Sequence, residues 1–180
     1  MNELEQIVSE LVKASNRVSD AMLQSAIDVL NAHERVFVYG TGRSGLMLKA
    51  FAMRLMQMGR SSYVVTEVTC PSINKGDLLV VGSSSGRTQS VVMAAESAAK
   101  QGADLLVISG NTESSLANLK EPDILIESPS KYTEGAQSIQ PLGSLFEQML
   151  LIVLDAVILK MVDEGVGSNK AMAQRHASLE

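Results

Sequence analysis

Residues 77–102 read DLLVVGSSSGRTQSVVMAAESAAKQG, and this stretch decides the fold. A compact apolar run opens at Asp77, stops at Gly82, and passes through Ser83-Ser84-Ser85-Gly86-Arg87-Thr88. It then resumes as an alanine-rich pattern at helical spacing. An apolar run of that length, bounded by turn residues, predicts a buried strand. The pattern after it predicts a helix closed by Gly102 in the C-terminal position glycine favours. Strand, Gly/Ser loop and helix together make most of a βαβ unit.

The unit recurs on both sides. RVFVYG, ending at Gly40, reads as a strand, Lys49 to Met58 as a helix, and SYVVTE as a second strand. ADLLVISG and DILIES supply strands four and five, with a short helix at Ser115 to Leu119 between them. Residues 128–140 read as a polar loop, followed by a long helix from about Leu142 to Val162. Two amphipathic helical patterns stand at the front, one through Leu4, Ile7, Val8, Leu11 and Val12, the other through Met22, Leu23, Ala26, Ile27 and Leu30. Strands alternating with helices predict an α/β fold: a doubly wound, five-stranded parallel sheet with helices on both faces. The expected organisation is one domain over 1–180, with an N-terminal helical arm over 1–33 and a C-terminal tail helix over 165–180. The arm's apolar side has no obvious surface of its own to cover, which suggests helix exchange between subunits.

Composition narrows the partners. The 180-residue chain carries 46% hydrophobic and 19% charged residues, a globular balance. A net charge of -5 argues against a general nucleic-acid binder, yet backbone N–H groups can still hold a small anion. The single cysteine, Cys70, leaves no internal disulfide and fits a reducing compartment. The longest apolar run, Met149 to Leu154, is too short to span a bilayer, and residues 1–20 lack the apolar stretch of a signal peptide. A cytoplasmic protein with no membrane partner is expected. Two separated histidines and one cysteine make no metal site, and no cofactor is expected. Ten methionines without a tryptophan read as core filling.

Two Gly-rich loops lie at the carboxyl edge of such a sheet, where ligands bind at the reversal of winding. The first, GTGRSG from Gly40 to Gly45, fits the dinucleotide fingerprint, and Glu67 stands where a ribose-binding acid belongs. Against that reading, only about 50 residues follow the fifth strand, too few for the substrate domain a dehydrogenase needs. The second loop suits a phosphate. Ser83, Ser84, Ser85 and Thr88 offer hydroxyls, Gly86 admits close approach, and the next helix begins with free N–H groups. The alternative is a Ser-rich corner whose hydroxyls only cap the helix, Thr88 among them.

GxGxSG after strand one, GxSSSGxT after strand three, GRSGLMLKAFAMRLMQMG, IQPLGSLFEQMLLIVLDAVILK and the closing RHASLE resemble the sugar-isomerase (SIS) domain family and, within it, the 6-phospho-3-hexuloisomerases. The resemblance runs from about Arg35 to Glu180, and the C-terminal blocks carry it more specifically than either loop. It implies an isomerase that interconverts D-arabino-hex-3-ulose 6-phosphate and fructose 6-phosphate in a homotetramer, without metal or redox cofactor. One departure stands out. The family loop reads more like SGSGET or SGSGTT, so Ser84 replaces a flexible glycine and Arg87 a carboxylate or hydroxyl.

Moving a carbonyl from C3 to C2 takes a proton off C2 and returns one at C3, through an enediol. Glu147 is the candidate base, because a carboxylate in the apolar helix SLFEQMLLIVL is costly without a task, and burial would raise its pKa. Its other reading is a polar stripe with Ser144, Gln148 and Asp155. His176 is the second catalytic candidate, in a segment that the resemblance implies reaches a neighbouring subunit. Gly42, Arg43, Ser44, Ser83, Ser85, Arg87 and Thr88 are the expected substrate-binding residues. Arg54 and His33 are expected to be structural, the latter on the surface or capping a helix. A sugar-phosphate-sensing module and an isomerase for another phosphosugar, such as a pentose phosphate, are the alternatives.

Overall fold

The computed structural model describes residues 1–128 and 138–178, so most of the expected loop over 128–140 and the last two residues of RHASLE lie outside the described residues. Two helices, α1 (Glu3–Ser15) and α2 (Asp20–Asn31), precede β1 (Arg35–Tyr39). Then come α3 (Gly42–Gln57), β2 (Ser61–Val64), β3 (Leu78–Ser83), α4 (Gln89–Lys100), β4 (Asp104–Ser109), α5 (Ser115–Leu119) and β5 (Ile124–Leu125). The chain closes with α6 (Ser144–Asp163) and α7 (Asn169–Gln174). The strands pair in the order β2-β1-β3-β4-β5, every pair parallel, with Val38 opposite Val64 and Val80 and Ser83 opposite Ser109. The doubly wound sheet is the one the apolar runs predict.

Side-chain alternation sorts the two layers. Val36, Val38, Val80, Leu106 and Ile108 face one way, onto α1, α2, α3 and α6. Phe37, Leu79, Val81, Leu105 and Val107 face the other way, onto Val91, Ala95 and Ala98 of α4 and Leu116 of α5. Since α3 covers one face and α4 the other, the winding reverses between β1 and β3. That opens a crevice at their carboxyl ends.

Three local expectations change. The helix expected at Lys49 begins at Gly42, so most of GTGRSG is its first turn rather than a loop. β5 is only two residues long, as an edge strand with one neighbour. The N-terminal arm is not a free exchange element in this chain. Ala14, Ala26, Ile27 and Leu30 are buried in its own core, and Leu11, Met22 and Leu23 pack beside them. What α1 leaves exposed is another stripe, Leu4, Val8 and Val12. The methionines divide likewise: Met58, Met149 and Met161 fill the core, while Met53, Met56 and Met93 lie exposed.

Candidate active site

The crevice is built from three helix starts and one loop. Gly82 lies near the carboxyl end of β3; a Cβ there would stand 3.1 Å from Leu150 and 3.2 Å from Leu48, so α6 and α3 both press on this point. Glu147 lies one helical turn before Leu150, about 5 Å nearer the carboxyl edge, which sets it beside the loop leaving β3. Its carboxylate meets Arg43 from the first turn of α3, with Oε2 2.5 Å from Nε. The Glu147 side chain is 19% exposed and that of Arg43 60%. Glu147 thus stands mostly buried against a guanidinium. It is also off the exposed face of Ile152 and Asp155, because it points to α3, and Gln148 of the expected stripe has its Oε1 buried.

The start of α3 explains the glycines. A Cβ on Gly45 would collide with the Gly40 carbonyl, so the third glycine serves close helix–strand packing. Gly42 and Ser44 share the first turn with Arg43, and Thr41 stands at the N-cap without a side-chain hydrogen bond. Glu67, the candidate ribose acid, is instead paired with Lys49 of α3 at 2.8 Å.

The second loop is a loop indeed. Ser83 is buried, its Oγ 3.3 Å from Thr88 Oγ1, and it accepts the Gly86 amide at 3.2 Å. Thr88 occupies the N-cap of α4 but makes no side-chain cap, so its hydroxyl does not serve the helix start, where the Val91 amide reaches only the Thr88 carbonyl at 3.0 Å. Ser85 Oγ accepts the Arg87 amide at 3.2 Å. Ser84 does not need a left-handed backbone: the positive φ belongs to Gly86, at 62°. Ser84 Oγ is buried without a hydrogen-bond partner, as is Ser128 Oγ past β5. Arg87 turns outward, with Nη2 donating to the Glu113 carbonyl at 3.0 Å.

His176 is not brought to this crevice. Its neighbour Arg175 donates to the Gln57 carbonyl at the far end of α3, and its own Nδ1 lies 3.2 Å from the Ala177 carbonyl oxygen. Running back down α6, that is about 20 Å from Glu147 at 1.5 Å per residue. Glu147 and His176 of one chain do not meet. Of the two expected structural residues, Arg54 donates to Gln57 Oε1 at 2.9 Å. His33 is mostly buried, with Nδ1 2.7 Å from the Val29 carbonyl and Nε2 2.8 Å from Asp104, so it is not a surface residue.

Sequence reasoning missed a third wall. Ser109 and Ser114, in the connection from β4 to α5, are buried against the second loop. The polar run SGNTESS at the same sheet edge was the signal, overlooked because it lacks a glycine-rich pattern. Glu10 was missed as well. From α1 it accepts the Ile139 amide at 3.1 Å and Gln140 Nε2 at 3.0 Å, gripping the segment that leads into α6. Within that segment Leu142 holds φ 56°, the single non-glycine residue at positive φ among the described residues.

Known proteins share this architecture. Residues 29–157 match the model of the SIS domain. The chain is 38% identical over 179 residues to 3-hexulose-6-phosphate isomerase of Bacillus subtilis (strain 168), covering 97% of this chain and 96% of that one. It is 44% identical over 147 residues to 3-hexulose-6-phosphate isomerase of Mycobacterium gastri, covering 81% and 74%. A crystal structure of a hypothetical protein from Methanococcus jannaschii, for which a 3-hexulose-6-phosphate isomerase function was inferred, superposes with a TM-score of 0.86 at 30% identity, covering 100% of both chains. With a parallel sheet whose winding reverses between β1 and β3, and relatives that cover nearly the whole chain, the chain belongs to the SIS domain family.

Proposed function

We propose that this chain is a phosphosugar isomerase that interconverts D-arabino-hex-3-ulose 6-phosphate and fructose 6-phosphate. The observation that carries the reading is the Glu147 carboxylate, paired with Arg43 and standing beside the Ser83–Thr88 loop at the reversal of the sheet. Relatives bearing the name 3-hexulose-6-phosphate isomerase, at 38% and 44% identity, support the choice of substrate.

The phosphate sits on the hydroxyls of Ser83, Ser85 and Thr88 and on the uncapped amides of α4, where the helix dipole favours an anion. The sugar then extends toward α3 and α6. Glu147 removes the proton from C2 of the 3-ketose and returns one to C3, so the enediol collapses to the 2-ketose. Arg43, with Ser44 and the Gly42 turn, faces the two oxygens on which charge develops. Arg87 stiffens the loop from outside through Glu113 rather than touching the phosphate.

His176 assists from another copy of the chain, because its own Glu147 is about a helix length away. We therefore read the working form as a cytoplasmic homo-oligomer, a tetramer by resemblance, joined in part through the exposed apolar stripes Leu4, Val8 on α1 and Ile152, Leu159 on α6. No helix among the described residues is long and apolar enough to cross a membrane.

A coupled assay of fructose 6-phosphate formation, run beside Glu147→Gln, tests the reading. Turnover that disappears in the variant while fructose 6-phosphate still binds supports the isomerase and its base. Binding without turnover in the unaltered protein overturns it in favour of a phosphosugar sensor. Sedimentation of the unaltered protein as a monomer that is fully active would overturn the shared site.

A further inference from the structure

We infer that Ser109 is a positioning residue for the anion loop, acting through the Ser83 carbonyl. The inference rests on the reading of Ser83–Thr88 as the phosphate cradle and deepens it. An anion is repelled by carbonyl oxygens and held by N–H groups, so a loop that binds one must turn its carbonyls elsewhere. Here they turn to the connection between β4 and α5. Ser109 Oγ donates to the Ser83 carbonyl at 2.9 Å. The Gly110 amide donates to the Ser84 carbonyl at 3.1 Å, and the Leu116 amide to the Gly86 carbonyl at 2.9 Å. Three carbonyls of the loop are thus occupied by this connection, that of Ser83 also accepting the Gly86 amide at 3.2 Å.

Ser109 does this from a fully buried position, 0% exposed and in register with Ser83 across the sheet. A hydroxyl there is costly unless it is bonded, and its bonds go to the anion loop and to its own connection: the donation to Ser83, acceptance of the Asn111 amide at 3.2 Å, and an Asn111 carbonyl 3.3 Å away. It also lies 3.1 Å from where a Cβ on Gly86 would stand, so it shapes the turn at φ 62° by contact as well as by bonding. Neither Ser109 nor any residue of its connection needs to touch the substrate for this role.

Ser109→Ala keeps the shape and removes the donor. The test measures kcat and KM for the hexulose phosphate, the competitive inhibition constant of inorganic phosphate, and the melting temperature without ligand, with Ser83→Ala as the reference. Both KM and the phosphate constant are expected to rise about tenfold, the size of one hydrogen bond, with kcat within about twofold. Should Ser109→Ala fail to fold, Asn111→Ala loosens the same connection from its exposed side and is expected to weaken phosphate in the same direction. A phosphate constant unchanged in these variants but raised in Ser83→Ala overturns the role of Ser109 and leaves the cradle standing. A constant unchanged in all three overturns the cradle itself. A fall in kcat with phosphate binding intact overturns the inference too, because it moves Ser109 from anion positioning to the reacting centre.

Discussion

The two ends of the sheet are finished differently. At the amino end polar groups are paired. Arg60 donates from Nη1 to the Leu30 carbonyl at 2.9 Å and from Nη2 to Asn31, closing the C-terminus of α2, and burial pushes its guanidinium below the ordinary value. Lys120 meets both oxygens of Asp123 at 2.6 Å, and His33 bridges Val29 and Asp104. At the carboxyl end α3, α4 and α6 all begin without a side-chain cap, while α1, α2, α5 and α7 carry one. Ser84 Oγ and Ser128 Oγ, also there, are buried and unpaired. Each open donor or lone hydroxyl costs stability on the order of 1 kcal/mol. Among the described residues the uncapped helix starts and these two hydroxyls gather at one end, while at the amino end the buried Arg35 Nε, without a hydrogen bond, still lies 3.3 Å from Asp77.

That contrast breaks most decisively at Glu147. Glu147→Gln is expected to lower kcat about a thousandfold, with melting almost unchanged, because the amide keeps the shape but takes no proton. A comparable loss in stability instead would turn the Arg43 pair into a structural strut. Next comes Gly86→Ala, where a Cβ would collide with Ser114 at a backbone angle that favours glycine. It should cost about 2 kcal/mol in denaturant unfolding and most of the phosphate affinity together. Ser83→Ala should raise KM about tenfold with little change in melting, as expected of a group that serves the ligand more than the fold.

The amino end should behave in the opposite way. Arg60→Met is expected to lower the melting temperature by roughly 4 °C, from about 1.5 kcal/mol of lost helix-end bonding, with kcat and KM untouched. A changed KM there would dissolve the division of labour between the two ends. The smallest effect is expected at Glu10, which touches neither end of the chemistry. Glu10→Ala releases Ile139 and Gln140, and kcat should fall by about twofold to fivefold as the start of α6 loosens under Glu147.

The two glycine loops show how far a local pattern carries. GTGRSG and GSSSGRT look alike as strings, yet the first is wound into α3 while the second stays a loop. The difference lies in what presses on each. Gly45 must sit on the Gly40 carbonyl for α3 to dock, whereas Gly86 is held by Ser114 and Leu116 arriving from a connection further along the chain. Thr88 shows the same limit: its type permits a cap or a ligand contact, and only the folded chain shows that it makes no cap and turns its hydroxyl toward Ser83 at 3.3 Å.

By itself the sequence determined the layers. The apolar runs at Arg35, Leu78 and Asp104, the helical spacing between them and the stop at Gly102 each depend on neighbours a few residues away. Backbone propensity and burial period act at that range. It also singled out Glu147 and the Ser83–Thr88 hydroxyls as candidates, since a carboxylate in an apolar helix and hydroxyls between glycines are conspicuous in any context. Tertiary structure alone decided how they meet. The bond from Ser109 to Ser83 joins residues 26 apart, and that from Gln140 to Glu10 joins residues 130 apart. The same packing brings Arg43 to Glu147 and takes His176 to the opposite end of α6. Such encounters follow from how whole elements pack, and no local period encodes them.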